Sequence, residues 1–216
     1  MRALVFANGD LNDGPAVQAA LVAAEDALIV AADGGARLAL ACGLAPALVI
    51  GDLDSLSEGA IATLRDRGAE ITRVRAEKDE TDLELALLEA ARRGANPILL
   101  IGAAGGRLDH MLANIYLLAM PELRGRDVRA VSGRQTLWLI GPGEHALEGA
   151  PGDTVSLLPL TPEAARIVTE GLVYPLRGET LRIGAARGVS NVMQAAQARV
   201  TLGEGLLLVV HTQGRA

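Results

Sequence analysis

"LVIGDLDSLS", residues 48–57, is an apolar run that reaches a glycine and then sets two carboxylates, Asp52 and Asp54, around a single leucine. A short run that is apolar at successive positions is a strand covered on both faces, and such strands belong to parallel sheets. Its polar end is then the carboxyl end of a strand, where open α/β sheets bind their ligands. Side chains alternate along an extended backbone, so Asp52 and Asp54 are expected on one face. Two like charges side by side call for a cation between them.

Outward from this stretch the same grammar repeats. Strands are predicted at 3–8, 27–33, 47–52, 70–76, 97–103 and 127–133, and helices at 15–25, 35–42, 57–67, 80–93 and 107–120. Alternating strands and helices, with strands apolar on both faces, predict an open parallel sheet with helices on each side. Beyond about residue 134 the helical periodicity stops. "QTLWLIG", "GEHALEG", "DTVSLLPL", "ARIVTEGL", "ETLRIG" and "QARVTLGEGLLLVVHTQ" are short strands between Gly and Pro turns, which predicts an antiparallel sandwich or small barrel. The expected organisation is an α/β domain over 1–133 and a β-sandwich domain over 134–216.

The totals narrow the function. Half of the 216 residues are hydrophobic and 21% are charged, enough apolar material for a core. A net charge of -6 with scattered Lys and Arg argues against nucleic-acid binding. One cysteine, Cys42, excludes an internal disulfide and a cysteine zinc site. No apolar run approaches the roughly 18 residues of a membrane span, and the N-terminus lacks a signal-peptide pattern, so a cytoplasmic protein is expected. His145 and His211 read as ordinary strand residues.

Four polar clusters fall at predicted strand ends. "AADGGARLA" turns at Asp33, Gly34 and Gly35 into a helix. The Asp52/Asp54 turn suits a hard divalent cation such as Mg²⁺, which prefers carboxylate oxygens and shares its shell with phosphates. Capping of the next helix by Asp54 or Ser55 is the plainer reading, and it accounts for only one of the two. "EKDETDLELALLEAARR" places Lys78, Asp79, Thr81 and Asp82 at the start of an amphipathic helix, near the positive end of its dipole. "LLIGAAGGRLDHMLANIYLL" joins a strand, a Gly-rich loop and a helix, the parts of a phosphate cradle, with Gly105 and Gly106 leading to Arg107. Leu108, Leu112, Ile115 and Ala119 are expected on the core side of that helix, and Arg107, His110 and Asn114 on the other, with Asp109 beside them. Together the clusters describe a site for a metal-bound nucleoside triphosphate.

In this order the clusters resemble the thiamine pyrophosphokinase family: "ADGG" at 32–35, "GDLDS" at 51–55, "KDETD" at 78–82, "GGRLDH" at 105–110 and "GVSN" at 188–191. The resemblance implies transfer of a diphosphate group from Mg-ATP to the hydroxyl of thiamine, giving thiamine diphosphate and AMP. It implies that Asp52, Asp54 and Asp82 hold Mg²⁺ and that Asp33 lies near the nucleophilic hydroxyl, orienting it in preference to acting as a base. Lys78, Arg107 and Asp109 would contact nucleotide or phosphate together with Gly105, Gly106 and His110, while Asp79 and Thr81 support the loop. Ser190, with Asn191 next to it, and Tyr174 in "GLVYPL" would meet thiamine. A homodimer is implied as well, with each thiamine site between one subunit's α/β domain and the other's β domain. Leu53 stands where the family often has an aromatic residue, and Tyr174 where some members have Trp. Asp-x-Asp after a strand also fits a metal-dependent nucleotide-sugar glycosyltransferase, and the ligand set alone fits a non-catalytic nucleotide- or thiamine-binding module.

Overall fold

The structure is a computed structural model that describes residues 1–215. The chain divides into two compact units, Met1–Gly133 and the remainder from Arg134. The first unit alternates β1 (Ala3–Phe6), α1 (Pro15–Val22), β2 (Leu28–Ala32), α2 (Gly35–Ala41), β3 (Leu48–Gly51), α3 (Glu58–Asp66), β4 (Glu70–Arg73), α4 (Asp82–Arg92), β5 (Ile98–Ile101), α5 (Leu108–Leu117) and β6 (Val128–Ser132). Its strands are parallel in the order β6-β5-β1-β2-β3-β4. The order reverses between β1 and β5, which opens a crevice at their carboxyl ends.

Why β1, β2, β3 and β5 are apolar throughout follows from the pleat. Leu4 and Phe6 of β1 point to one face, where Ile29, Ala31 and Val49 join them against α1, α2 and α3. The alternate residues Ala3, Val5, Val30, Leu48 and Ile50 are equally buried and point the other way. That second face meets α4, which contacts β1, β2 and β3 and buries Leu83, Ala86, Leu87 and Ala90. Truncating Leu4 or Leu87, both fully buried, is expected to cost about 2–5 kcal/mol through lost burial and the cavity left behind.

Two expectations are overturned in this unit. Helix α5 has no buried residue: Leu108 is 72% exposed, Leu112 49% and Tyr116 61%. The apolar period is there, but nothing in the described chain covers it. Second, β3 stops at Gly51, and Leu53 turns into the left-handed region with φ 65° while its side chain stays buried. The alternation that was to aim Asp52 and Asp54 the same way therefore does not apply to them. Neither Asp54 nor Ser55 caps α3; Ser57 does, accepting the Ala60 N–H at 3.2 Å.

The second unit contains β7 (Gln135–Ile140), β8 (Gly143–Glu148), β9 (Thr154–Pro159), β10 (Glu163–Glu170), β11 (Arg177–Arg182), β12 (Asn191–Val192), β13 (Gln197–Leu202) and β14 (Leu207–Thr212). Antiparallel sheets β12-β9-β14-β7 and β11-β10-β13-β8 form a sandwich. Val155, Leu157, Leu207 and Val209 from one sheet and Ile167, Leu181, Val200 and Leu202 from the other share its core. The run 197–213, continuous in hydropathy, is two strands on different sheets.

Candidate active site

At the carboxyl ends of the parallel strands lies a cleft of about 910 Å³, built from the first unit alone. Each strand from β1 to β5 feeds its following loop into the walls. Ala7, Asn8 and Gly9 follow β1, Asp33 follows β2, Asp52 and Asp54 follow β3, Lys78, Thr81 and Asp82 follow β4, and Gly102 to Arg107 follow β5. The loops after β1 and β5 touch so closely that a Cβ on Gly9 would stand 2.2 Å from the Gly102 carbonyl oxygen.

Carboxylate oxygens of Asp33, Asp52 and Asp82 lie within 4.8 Å of one another. Gly51 makes room for them, because a Cβ there would meet the Asp33 Cβ at 2.9 Å and the Asp82 Cγ at 3.1 Å. Asp33 is only 5% exposed, and its Oδ1 is buried without a hydrogen-bond partner. Its backbone sits at φ 44°, held by its own N–H on the Ile50 carbonyl at 2.9 Å. Asp82 Oδ1 likewise receives no regular hydrogen bond, although the Lys78 ammonium stands 2.9 Å away as an ion pair. Burial pushes the Asp82 carboxyl above its ordinary range, Lys78 pulls it back, and the charges of Asp52 and Asp33 add to the rise. A buried, unpaired carboxylate is costly unless a cation compensates it. One ammonium for three carboxylates leaves the trio short of positive charge, and oxygen donors at this spacing fit a hard divalent ion.

Asp54 lines the same cleft from an exposed position and stands outside the trio, whose third member is Asp33. The turn itself is tethered in part by two residues the sequence did not point to, Asn8 and Arg37. Asp52 Oδ1 accepts the Asp54 N–H at 3.2 Å, Asn8 donates to Ser55 Oγ at 3.2 Å, and Arg37 donates to the Ser55 carbonyl at 2.6 Å. Asn8 follows a buried strand as Asp33 and Asp52 do, and that shared position was the available signal. Thr81 also lines the cleft, while its hydroxyl caps α4 by accepting the Glu84 N–H at 3.1 Å. Asp79 is exposed and does not line the cleft.

The Gly-rich wall holds Gly105, Gly106, Arg107, Asp109 and His110. Arg107 and Asp109 pair through contacts of 2.6 Å and 3.2 Å, and Asp109 also accepts the His110 N–H at 2.9 Å. The Arg107 guanidinium and that N–H hold the Asp109 carboxyl down to about 2. Asn114 donates to the Ala103 carbonyl at 2.9 Å, tying α5 to the loop before it.

The remaining site residues are in the second unit. Tyr174 is 68% exposed, Ser190 is exposed in the left-handed region with φ 59°, and Asn191 is buried at 8%. His211 is more than a plain strand residue: its Nε2 meets Asp153 Oδ2 at 2.8 Å. Asp153 is itself buried, and its backbone carbonyl accepts the Met193 N–H, two residues beyond Asn191, at 2.9 Å.

Comparison with known proteins gives a consistent result. Residues 19–130 match the family described as "Thiamin pyrophosphokinase, catalytic domain", and residues 144–207 match "Thiamin pyrophosphokinase, vitamin B1 binding domain". The thiamine pyrophosphokinase of Bacillus subtilis is 27% identical over 189 residues, covering 87% of this chain and 88% of its own. The crystal structure of thiamine pyrophosphokinase from the same species superposes with a TM-score of 0.87 at 25% identity over 99% of both chains. A thiamin pyrophosphokinase family protein from Enterococcus faecalis does so at 0.87 and 28% over 100% of both.

Proposed function

The chain belongs to the thiamin pyrophosphokinase family of diphosphotransferases, and we propose that it transfers a diphosphate group from Mg-ATP to the hydroxyl of thiamine, releasing AMP. The observation that carries the nucleotide half is the convergence of Asp33, Asp52 and Asp82 around a buried, unpartnered oxygen. These residues fit a divalent cation, with Asp54 on the same cleft wall. A cation bound there supplies positive charge against the oxygens of the triphosphate.

The chain's own groups do the rest. Phosphoryl transfer needs positioning and charge stabilisation more than covalent help from the protein. Lys78 and Arg107 supply two further cations, and the backbone N–H groups of the Gly105–Gly106 turn supply donors for anionic oxygens. Asp109 holds Arg107 in place from one side. Asp33 joins the trio, which supports electrostatic orientation over proton removal as its role. Tyr174 and Ser190, exposed in the unit matched to vitamin B1 binding, are assigned to the thiamine rings, with Asn191 beside them.

Families matching both units set aside the nucleotide-sugar alternative. A homodimer is part of the proposal, supported by the uncovered edge of Leu108, Leu112 and Tyr116 on α5. No helix among the described residues is long and apolar enough to cross a membrane; a cytoplasmic setting is part of the proposal. The decisive test is AMP release with thiamine and Mg-ATP, compared with thiamine omitted. Thiamine-dependent AMP is expected; magnesium-linked ATP uptake in calorimetry without AMP release would instead make the chain a binding module.

A further inference from the structure

The two exposed residues assigned to thiamine are not held in the same way, and the difference concerns Asn191. Its residue type and its position after Ser190 suggest a ligand contact. Its surroundings do not. Asn191 is 8% exposed on β12, where it pairs with Val155 of β9. Asn191 Oδ1 accepts the N–H of Tyr174 at 3.0 Å and that of Val192 at 2.9 Å, and Asn191 Nδ2 donates to the Tyr174 carbonyl at 2.7 Å.

A carboxamide has two acceptor sites and two donor hydrogens, so three of the four are taken up by backbone. Two N–H groups on one side and a carbonyl on the other also fix which way the amide faces. Both polar groups of one peptide residue, Tyr174, end on this one side chain. The segment before Tyr174 is already zipped to β12, with an isolated bridge between Leu172 and Met193 and the Val173 N–H on the Val192 carbonyl at 2.9 Å. Pro175 follows and has no N–H to continue a ladder. At Tyr174 the side chain of Asn191 therefore replaces the missing strand. The ring itself stays 68% exposed.

We propose that Asn191 is a positioning residue for Tyr174: its buried amide grips the Tyr174 backbone at both ends and presents the exposed ring, ready to stack, to the aromatic, cationic substrate. A backbone held before binding removes part of the ordering cost that stacking on the ring would otherwise carry, so the grip acts on substrate affinity. The inference rests on the thiamine reading of Tyr174, and its test keeps the two apart.

The experiment is a double-mutant cycle on the full chain, with Tyr174→Ala, Asn191→Ala and the pair, reading KM for thiamine and for ATP, and kcat, in each. Tyr174→Ala and Asn191→Ala are each expected to raise the thiamine KM about tenfold with the ATP KM unchanged, and the pair is expected to be no worse than Tyr174→Ala alone. A general folding defect lowers the active fraction and so kcat, and does not move one KM selectively. If Asn191→Ala does not survive purification, the isosteric Asn191→Asp enters the same cycle; it keeps an acceptor for both N–H groups and sets a carboxylate against the Tyr174 carbonyl. A thiamine KM in the pair equal to the product of the single effects, or no change in the Asn191 variant, overturns the proposal while leaving the vitamin site intact. An unchanged thiamine KM in Tyr174→Ala overturns the assignment of Tyr174 to thiamine itself.

Discussion

The carboxylate cleft of the first unit and the Tyr174–Ser190 edge of the second solve opposite problems. In the cleft, buried polar atoms are left unmatched: Asp33 Oδ1 has no partner, and of the three clustered carboxylates Lys78 pairs with Asp82. At the edge, buried polar groups are matched. Asn191 is nearly saturated by backbone, Ser156 Oγ accepts the Ser190 N–H at 3.0 Å, and Tyr174 and Ser190, proposed to meet thiamine, stand outside. On the proposed function, the difference teaches how each ligand would be recognised. A charged ligand is drawn by uncompensated charge, whereas a flat aromatic one needs a rigid surface, so its support must already be satisfied.

The comparison breaks first at Asp52. Asp52→Asn is expected to lower turnover by about a hundredfold or more with little change in melting temperature, while Asp54→Asn, outside the trio, costs clearly less; equal losses in steady-state assays would return Asp54 to the inner cluster. On the other side, Ser190→Ala is expected to raise the thiamine KM about tenfold and leave the ATP KM alone, and the reverse ranking would remove Ser190 from the vitamin site.

Stability sharpens the contrast. Asp33→Asn removes one charge from the trio, and Asn tolerates the left-handed backbone. The magnesium-free variant is expected to melt about 2–4 °C higher than the parent and to lose the upward shift that Mg²⁺ gives the parent. A lower melting point in calorimetry would mean that Asp33 is bound into the fold by contacts the carboxylate makes there. The smallest effect is at Asp153, whose carboxyl is raised by burial but brought below its ordinary value overall by N–H groups of Gly214 and Ala150 and by His211. A depressed carboxyl stabilises the fold above its unfolded value, about 3.9, and that contribution fades as pH falls through the lower folded value. Acid denaturation should accordingly show a loss below about pH 4 that Asp153→Asn lacks. An identical acid profile in the variant would assign the loss to other carboxylates.

Much of this fold was legible because period and burial agree. β1, β2, β3 and β5 are apolar at every position, as strands covered on both faces must be, and the helices between them follow from spacing. The site was legible as a set of strand ends. Its inner membership was not, since the positive φ of Leu53 rotates Asp54 out of the expected alternation and Asp33 comes in from the neighbouring strand. Helix α5 misled for another reason: an apolar stripe announces that something covers it, not whether the cover belongs to the same chain. The pairing of His211 with Asp153, 58 residues apart, has no local signal at all.

By itself the sequence determined most of the secondary structure, the change from an α/β to an antiparallel β architecture and the chemical kind of each site residue, because these depend on local periodicity and on functional groups. Only the tertiary structure decided which carboxylates meet, that Thr81 caps and Asn191 grips backbone, and which apolar face remains bare. Those outcomes depend on distances between segments remote along the chain, and residue identity does not encode distance.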